Sequence, residues 1–301
     1  MPKTFLVKAG WALPLPLMLG LALLISVWPG SSQSAAGGGR LKLEVGADMD
    51  SPTRSAAALY RSSAYERLSF PPPPVTERVI GVPILMYHHV GEAPSDADRL
   101  RRNLTVSVAD FDAQMSYLQQ AGYSPVTGAQ LFKALFYNKP LPPKPILLTF
   151  DDGYLDNYTV AAPILKKYGF TGTFYIVSEK VGSGDYMSWE QVAELARLGM
   201  DIGSHSASHP DLTTLSTADL SRELKESAAA IRSRLGHPIY WFCYPAGRYN
   251  DGVKAAASEA GYLLAVTTDW GNAQSSTDPL GLKRFRIRSD TGLEGFKQLL
   301  P

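Results

Sequence analysis

Beyond about residue 79 the apolar positions alternate between two patterns. Short runs rich in β-branched and aromatic residues, at 82–87, 146–150, 173–177, 201–204, 240–244, 263–267 and 282–287, predict buried strands. Between them, apolar residues at helical spacing predict helices over 109–121, 128–136, 157–168, 189–198, 217–235 and 251–260. The first carries Phe111, Met115 and Leu118 on one face and stops at Gly122. Thr127 and Ser188 are the expected caps of the second and fourth, and Gly169 ends the third. Strands that alternate with helices pair in parallel through crossovers. The fold class is therefore α/β, and the number of strands favours a closed, distorted (β/α) barrel over an open sheet.

The first part of the chain reads differently. Lys3 and Lys8 precede an uncharged, Leu-rich stretch over 9–28, and Ser34-Ala35-Ala36 follows, as in an export signal. The apolar stretch is also long enough to span a bilayer, so an uncleaved anchor is the alternative. Either way the remainder is expected outside the cytoplasm: periplasmic, in the cell envelope, or membrane-anchored. From there to about residue 78 the chain turns to Gly, Ser, Ala and Pro, ending in Pro71 to Pro74, and predicts a disordered, semi-rigid tether with at most a short helix over 56–68. The expected organisation is a leader over 1–36, a linker over 37–78 and one folded domain over 79–301.

Composition removes several classes. Lys plus Arg number 29 against 28 Asp plus Glu, a balance that gives no footing for a nucleic-acid partner. A single cysteine, Cys243, excludes an intrachain disulfide, and its apolar flanks favour packing over chemistry.

Two predicted strands end in ionisable pairs. The 146–150 run leads into Asp151-Asp152-Gly153, and the 82–87 run into His88-His89. Ligands collect at the carboxyl ends of strands in α/β folds, and adjacent carboxylates leaving a strand point different ways, so each is free for a separate task. After the 201–204 strand, His205 and His209 lie four residues apart, a spacing that puts two imidazoles on one side of a helical turn. Two histidines and a carboxylate with open positions suit a divalent metal, zinc first and cobalt or nickel as alternatives. Alone, the Asp pair also describes a solvated turn, and the His pair a capping pair.

The segment Thr149-Phe150-Asp151-Asp152-Gly153-Tyr154 followed by His205-Ser206-Ala207-Ser208-His209 resembles the first two motifs of the polysaccharide deacetylases, the NodB-homology proteins of carbohydrate esterase family 4. The resemblance covers roughly 79–301. It implies a NodB-type barrel that removes acetyl groups from N-acetylated sugars, with Asp151 as the catalytic base and Asp152, His205 and His209 as the metal triad.

Two departures qualify it. Where many members have Arg-Pro-Pro-Tyr-Gly, this chain has Cys243-Tyr244-Pro245-Ala246-Gly247, so the arginine that steadies the base is missing. The oxyanion donor at the Tyr position is partly a backbone N–H, which Ala246 still supplies. Arg284 or Arg286 is the expected replacement for the guanidinium. The family's late Leu-x-His is also absent, and Leu85-Met86-Tyr87-His88-His89 occurs on the first strand instead. This is similar to the circularly permuted branch that includes exported poly-N-acetylglucosamine deacetylases, and it implies His88 as the general acid, with His89 second. Asp269-Trp270 resembles the family's groove-lining aromatic, and Tyr244, Tyr249 and Trp189 are further platforms.

The resulting expectation is a monomeric, metal-dependent hydrolase. It would deacetylate an extracytoplasmic N-acetylglucosamine-containing polysaccharide, such as poly-N-acetylglucosamine, peptidoglycan or a chitin-like polymer, through attack of metal-activated water. The N-terminal segment is its expected link to the membrane. A catalytically idle carbohydrate-binding barrel, or an amidase on a non-polymeric substrate, are the alternatives.

Overall fold

The computed structural model describes residues 76–301, so the leader, nearly all of the linker and the 56–68 helix lie outside the described residues. Seven parallel strands form a closed barrel: β1 (Ile84–Tyr87), β2 (Pro145–Phe150), β3 (Thr173–Ile176), β4 (Asp201–Ser204), β5 (Trp241–Cys243), β6 (Leu264–Trp270) and β7 (Leu282–Arg286). Each strand neighbours the next, and β1 closes the ring by pairing with β2 (Leu85 opposite Leu148) and β7 (Phe285 opposite Leu85). Both faces of such strands are covered, which is why they read as unbroken apolar runs.

Alternate residues then serve two cores. Ile84, Leu147, Tyr175, Trp241, Val266 and Leu282 form one cluster with Leu131, Phe132 and Leu135. Leu85, Tyr87, Leu148, Phe150 and Phe174 belong to a second cluster, shared with the outer helices. The helices are α1 (Arg99–Asn103), α2 (Val108–Gln120), α3 (Gly128–Tyr137), α4 (Ala162–Lys167), α5 (Trp189–Arg197), α6 (Thr217–Leu235), α7 (Asp251–Glu259) and α8 (Gly292–Gln298). Gly128 opens α3 directly against the Trp241 ring, where an added Cβ would come within 2.9 Å of ring carbons. Thr127 and Ser188 cap α3 and α5 in full capping boxes with Gln130 and Gln191, each cap stabilising by about 1 kcal/mol.

Several boundaries differ from the sequence pattern, each for a local reason. The 82–87 run is broken at Pro83, leaving Val79–Gly81 to pair antiparallel with Ala273–Ser275. The 157–168 helix is interrupted: Asn157–Ala161 is a π-turn, and α4 begins only at Ala162. Pro163 carries no N–H, so the preceding turn cannot close in the regular α pattern. β6 runs past the expected 267 to Trp270, carrying Asp269 and Trp270 on the strand. The short α8, packed on α2 through Phe296 and Tyr117, was not expected.

Candidate active site

The strands' carboxyl ends gather the ionisable residues. Asp151 leaves β2 with its N–H bonded to the Tyr87 carbonyl and its side chain 4% exposed. The buried Arg284, on β7, grips it from two sides: Nη1 donates to Oδ1 at 2.7 Å and Nη2 to Oδ2 at 2.8 Å. The same guanidinium is fixed by the Thr267 carbonyl and the Thr149 hydroxyl. Burial alone would raise the pKa of Asp151, but the Arg284 charge and hydrogen bonds outweigh it and hold the carboxyl below its usual range. The guanidinium missing from the Cys243 segment is thus supplied across the barrel by Arg284, while Arg286 lies nearer the mouth.

Cys243 is buried in the barrel core, as its apolar flanks predict, and it also lies beside the Asp151–Arg284 pair. Its Sγ lies 3.4 Å from Asp151 Oδ2 and 3.2 Å from Arg284 Nη2. The small Cys243 side chain leaves room beside it for the guanidinium arriving from β7.

Asp152 turns away from Asp151 because its backbone is left-handed (φ 74), a conformation that stores about 1–3 kcal/mol in a non-glycine residue. Gly153 continues the turn at φ 81, where an added Cβ would come within 3.2 Å of Ile176 Cδ1. Asp152 Oδ1 then lies 3.3 Å from His205 Nε2 and 3.4 Å from His209 Nε2. His205 Nδ1 meets the Cys243 carbonyl at 2.7 Å; a carbonyl only accepts, so Nδ1 carries a proton and Nε2 is the nitrogen left facing Asp152. Burial and the neighbouring His205 hold His209 down to about 4, neutral at pH 7. Burial opposes the charge on Asp152, but the His205 hydrogen bond and the surrounding imidazoles keep it ionised.

The two histidines do not share a helical turn, contrary to the spacing argument. They sit on a loop with left-handed Ser206 and His209, their rings 4.8 Å apart. Helical bonds are unavailable there because Glu223 of α6, itself buried, takes the N–H groups of Ala207 and Ser208 and the Ser208 hydroxyl, while Ser206 Oγ takes the His209 N–H. One carboxylate and two imidazoles with donor atoms within 4.8 Å of one another fit a divalent transition-metal ion. Asp151, His205 and Cys243 also converge, but Asp151 is engaged by Arg284.

His88 and His89 part company. His88 lines the cavity, its Nε2 3.9 Å from Asp151 Oδ2 and its buried Nδ1 without a hydrogen-bond partner among the described residues. Asn157, from the π-turn, holds the His88 carbonyl. The His89 ring is instead enclosed: Nδ1 bonds Asp156 at 2.7 Å, the Arg101 guanidinium meets Nε2, and Tyr154 stacks on its face.

These groups share a cavity of about 290 Å³, lined also by Tyr244, Ala246, Leu100, Leu104, Lys180, Thr268 and Arg286. Ala246 is left-handed (φ 52), and its N–H donates to no backbone carbonyl among the described residues. The Tyr244 hydroxyl is tied to the Leu280 carbonyl and its ring stacks on Tyr249, whose own hydroxyl bonds Asp269. Tyr249 and Trp270 do not line the cavity; Trp270 stands 64% exposed, edge-on to Phe285. Trp189 lies apart from the site, under Arg234. Leu100 and Leu104, from α1 and its end, and Lys180, from the turn after β3, had no sequence signal, whereas Arg286 was visible as an alternate-position neighbour of Arg284.

The description of the polysaccharide deacetylase family matches residues 138–265. The Bacillus subtilis protein YxkH, which carries a polysaccharide deacetylase name, is 34% identical over 212 residues, covering 70% of this chain and 73% of its own. The chain belongs to the polysaccharide deacetylase family. Poly-beta-1,6-N-acetyl-D-glucosamine N-deacetylase of Escherichia coli K12 is 30% identical over 77% of this chain, which spans 41% of that protein's length. Among solved structures, the Streptococcus pyogenes deacetylase PplD, in complex with acetate, superposes with a TM-score of 0.69 at 32% identity, covering 74% of this chain and 100% of that one. The barrel is the deacetylase fold of these relatives. The elements that bring His88 and Arg284 to the site, β1 and β7, lie outside the stretch matched by the family description.

Proposed function

We propose that this deacetylase removes N-acetyl groups from an extracytoplasmic, N-acetylglucosamine-containing polysaccharide with the help of a divalent metal, zinc being the expected ion. The observation that carries the reading is the meeting, in one cavity, of an arginine-locked Asp151 with the donor set Asp152, His205 and His209. A divalent ion held by those three residues would polarise the acetamide carbonyl and acidify water beside it.

The remaining roles fall to the chain itself. Asp151, kept ionised and immobile by Arg284, accepts the proton of the attacking water. The Ala246 N–H, aimed by its left-handed backbone, donates to the oxyanion that forms at the carbonyl. His88 delivers a proton to the departing amine. Burial lowers its pKa despite the two carboxylates nearby, so the resting ring is neutral and takes up its proton within the cycle; Asp151 Oδ2, 3.9 Å away, is in position to pass it on. Tyr244 forms part of the cavity wall, and Tyr249 and Trp270 extend beyond the cavity as surfaces for neighbouring sugars.

The chain would act as a monomer. Residues 1–36 would export or anchor it, 37–78 would tether it, and 79–301 would carry the activity; the basic-then-apolar leader supports the extracytoplasmic assignment. The test is acetate release from N-acetylglucosamine oligomers, chitin fragments and peptidoglycan, with and without zinc or cobalt. Metal-dependent release from at least one polymer is expected. Failure on all three with metal supplied would end the proposal.

A further inference from the structure

The main chain that leads to His88 is held residue by residue. The Met86 carbonyl accepts the N–H of Ile287 at 3.0 Å and the Tyr87 carbonyl that of Asp151 at 2.9 Å, the residues that follow β7 and β2. His88 itself lies just past the end of β1, and its carbonyl is taken by a side chain instead. Asn157 Nδ2 donates to it at 2.6 Å. The segment that leaves β2 thus fixes the backbone of β1 twice, once through the base Asp151 and once through Asn157.

Stability alone does not favour an amide at position 157. The residue is fully buried, and its Oδ1 has no hydrogen-bond partner among the described residues, which destabilises a folded chain. Its nitrogen, in contrast, is committed on both sides, to the His88 carbonyl and to Asp156 Oδ1 at 2.9 Å. Asp156 Oδ2 in turn bonds His89 Nδ1. A carbonyl and a carboxylate both accept, so these contacts fix the amide with its nitrogen towards His88. Asn157 also opens the π-turn Asn157–Ala161, a widened turn of the kind that recurs at functional sites.

His88 has need of such a brace. An imidazole that moves protons through one nitrogen is ordinarily oriented by a bond to the other. The buried Nδ1 of His88 has no partner among the described residues, so the ring is aimed through its backbone. A shift of the carbonyl carries the Cα with it, and hence Nε2, which stands 3.9 Å from Asp151 Oδ2.

We infer that Asn157 is a positioning residue for proton delivery: its amide holds the His88 carbonyl so that Nε2 faces the departing amine. Asn157 does not line the cavity and acts only through His88. This rests on the deacetylase reading above and adds the device that holds its acid.

The experiment uses the full-length, metal-loaded protein on two substrates. An N-acetylglucosamine oligomer expels an amine, which must be protonated as it leaves; 4-nitrophenyl acetate expels a stable phenolate, which need not be. Asn157→Leu keeps the volume and removes both bonds. Its kcat on the oligomer should fall about 10- to 100-fold, the cost of a misplaced catalytic group, with KM little changed. Ester turnover should fall far less, so the oligomer-to-ester ratio drops as well. In a His88→Gln background the same substitution should cost no more than about twofold further, because the residue it acts through is already gone. Melting curves confirm folding, and Asn157→Ala carries the same comparison if Asn157→Leu does not fold.

An equal loss on both substrates would make Asn157 structural and overturn the inference. So would a full-sized loss in the His88→Gln background, a loss confined to KM, or unchanged turnover of the oligomer. Failure of the wild type on every N-acetylated polymer removes the deacetylase reading and this inference together; wild-type release with a ratio unmoved by Asn157→Leu removes the inference alone.

Discussion

Replacing Arg284 by methionine isolates the interaction on which the base depends. The substitution keeps most of the aliphatic volume and deletes both bonds to Asp151, at 2.7 and 2.8 Å, as well as the bond to the Thr267 carbonyl. Both partners are essentially unexposed, so the carboxylate would be left as an uncompensated buried charge, a defect that destabilises by about 3–5 kcal/mol. For a domain of this size that corresponds to a fall in Tm of roughly 6–20 °C. The loss should depend on pH with a definite sign. In the wild type the folded pKa of Asp151 is depressed, so its contribution to stability is present above the unfolded value and lost as pH falls through the folded one. In Arg284→Met burial is opposed only by the smaller influence of His88 and His205, the folded pKa rises, and the variant should gain stability relative to wild type as the solution is acidified and Asp151 becomes neutral. Adding Asp151→Asn to Arg284→Met should restore part of the Tm at pH 7 without restoring turnover, because the buried charge is gone while the base is too. Thermal melts in chelator between pH 4 and 8, with acetate release measured in parallel on metal-loaded protein, read all of this. An Arg284→Met protein that melts with wild type and deacetylates at the wild-type rate would refute the reasoning.

Other substitutions separate roles that share the same few ångströms. His88→Gln should lower kcat by about 10²- to 10⁴-fold with little change in Tm, whereas His89→Gln, which disturbs the Asp156 and Tyr154 contacts, should act chiefly on Tm; the reverse pattern would exchange their roles. Glu223→Ala leaves the Ala207 and Ser208 amides without acceptors, at about 1–3 kcal/mol for each one unsatisfied, and should weaken zinc binding measured by calorimetry about 10- to 100-fold. Unchanged zinc affinity would show that the His205–His209 loop holds itself. Ala246→Gly keeps the amide and relieves a left-handed alanine, so activity should survive and stability should stay within about 1 kcal/mol of wild type; loss of turnover would mean that the methyl group, not the N–H, matters.

The strand and helix pattern was legible because a closed parallel barrel buries both faces of its strands, and that leaves unbroken apolar runs such as 146–150 in the chain. The carboxylate pair and the two histidines were legible for a related reason: strand ends in this architecture all open to one mouth, so ionisable residues placed there must be neighbours. The simple helical pattern failed at two places, one for a reason inside the segment and one for a reason outside it. Pro163 opened a π-turn inside an expected helix, and Glu223 drew the His205–His209 loop away from helical bonding. Whether Arg284 or Arg286 reaches Asp151, and whether His88 or His89 faces the cavity, depends on which strands lie side by side and on which side chain leaves room. Neither question has a local answer, because register and packing are properties of the closed barrel: the seam between β1 and β7 aligns residues 200 positions apart. The chain's own order therefore determined which groups are present at the mouth, and only the folded ring decided which of them touch.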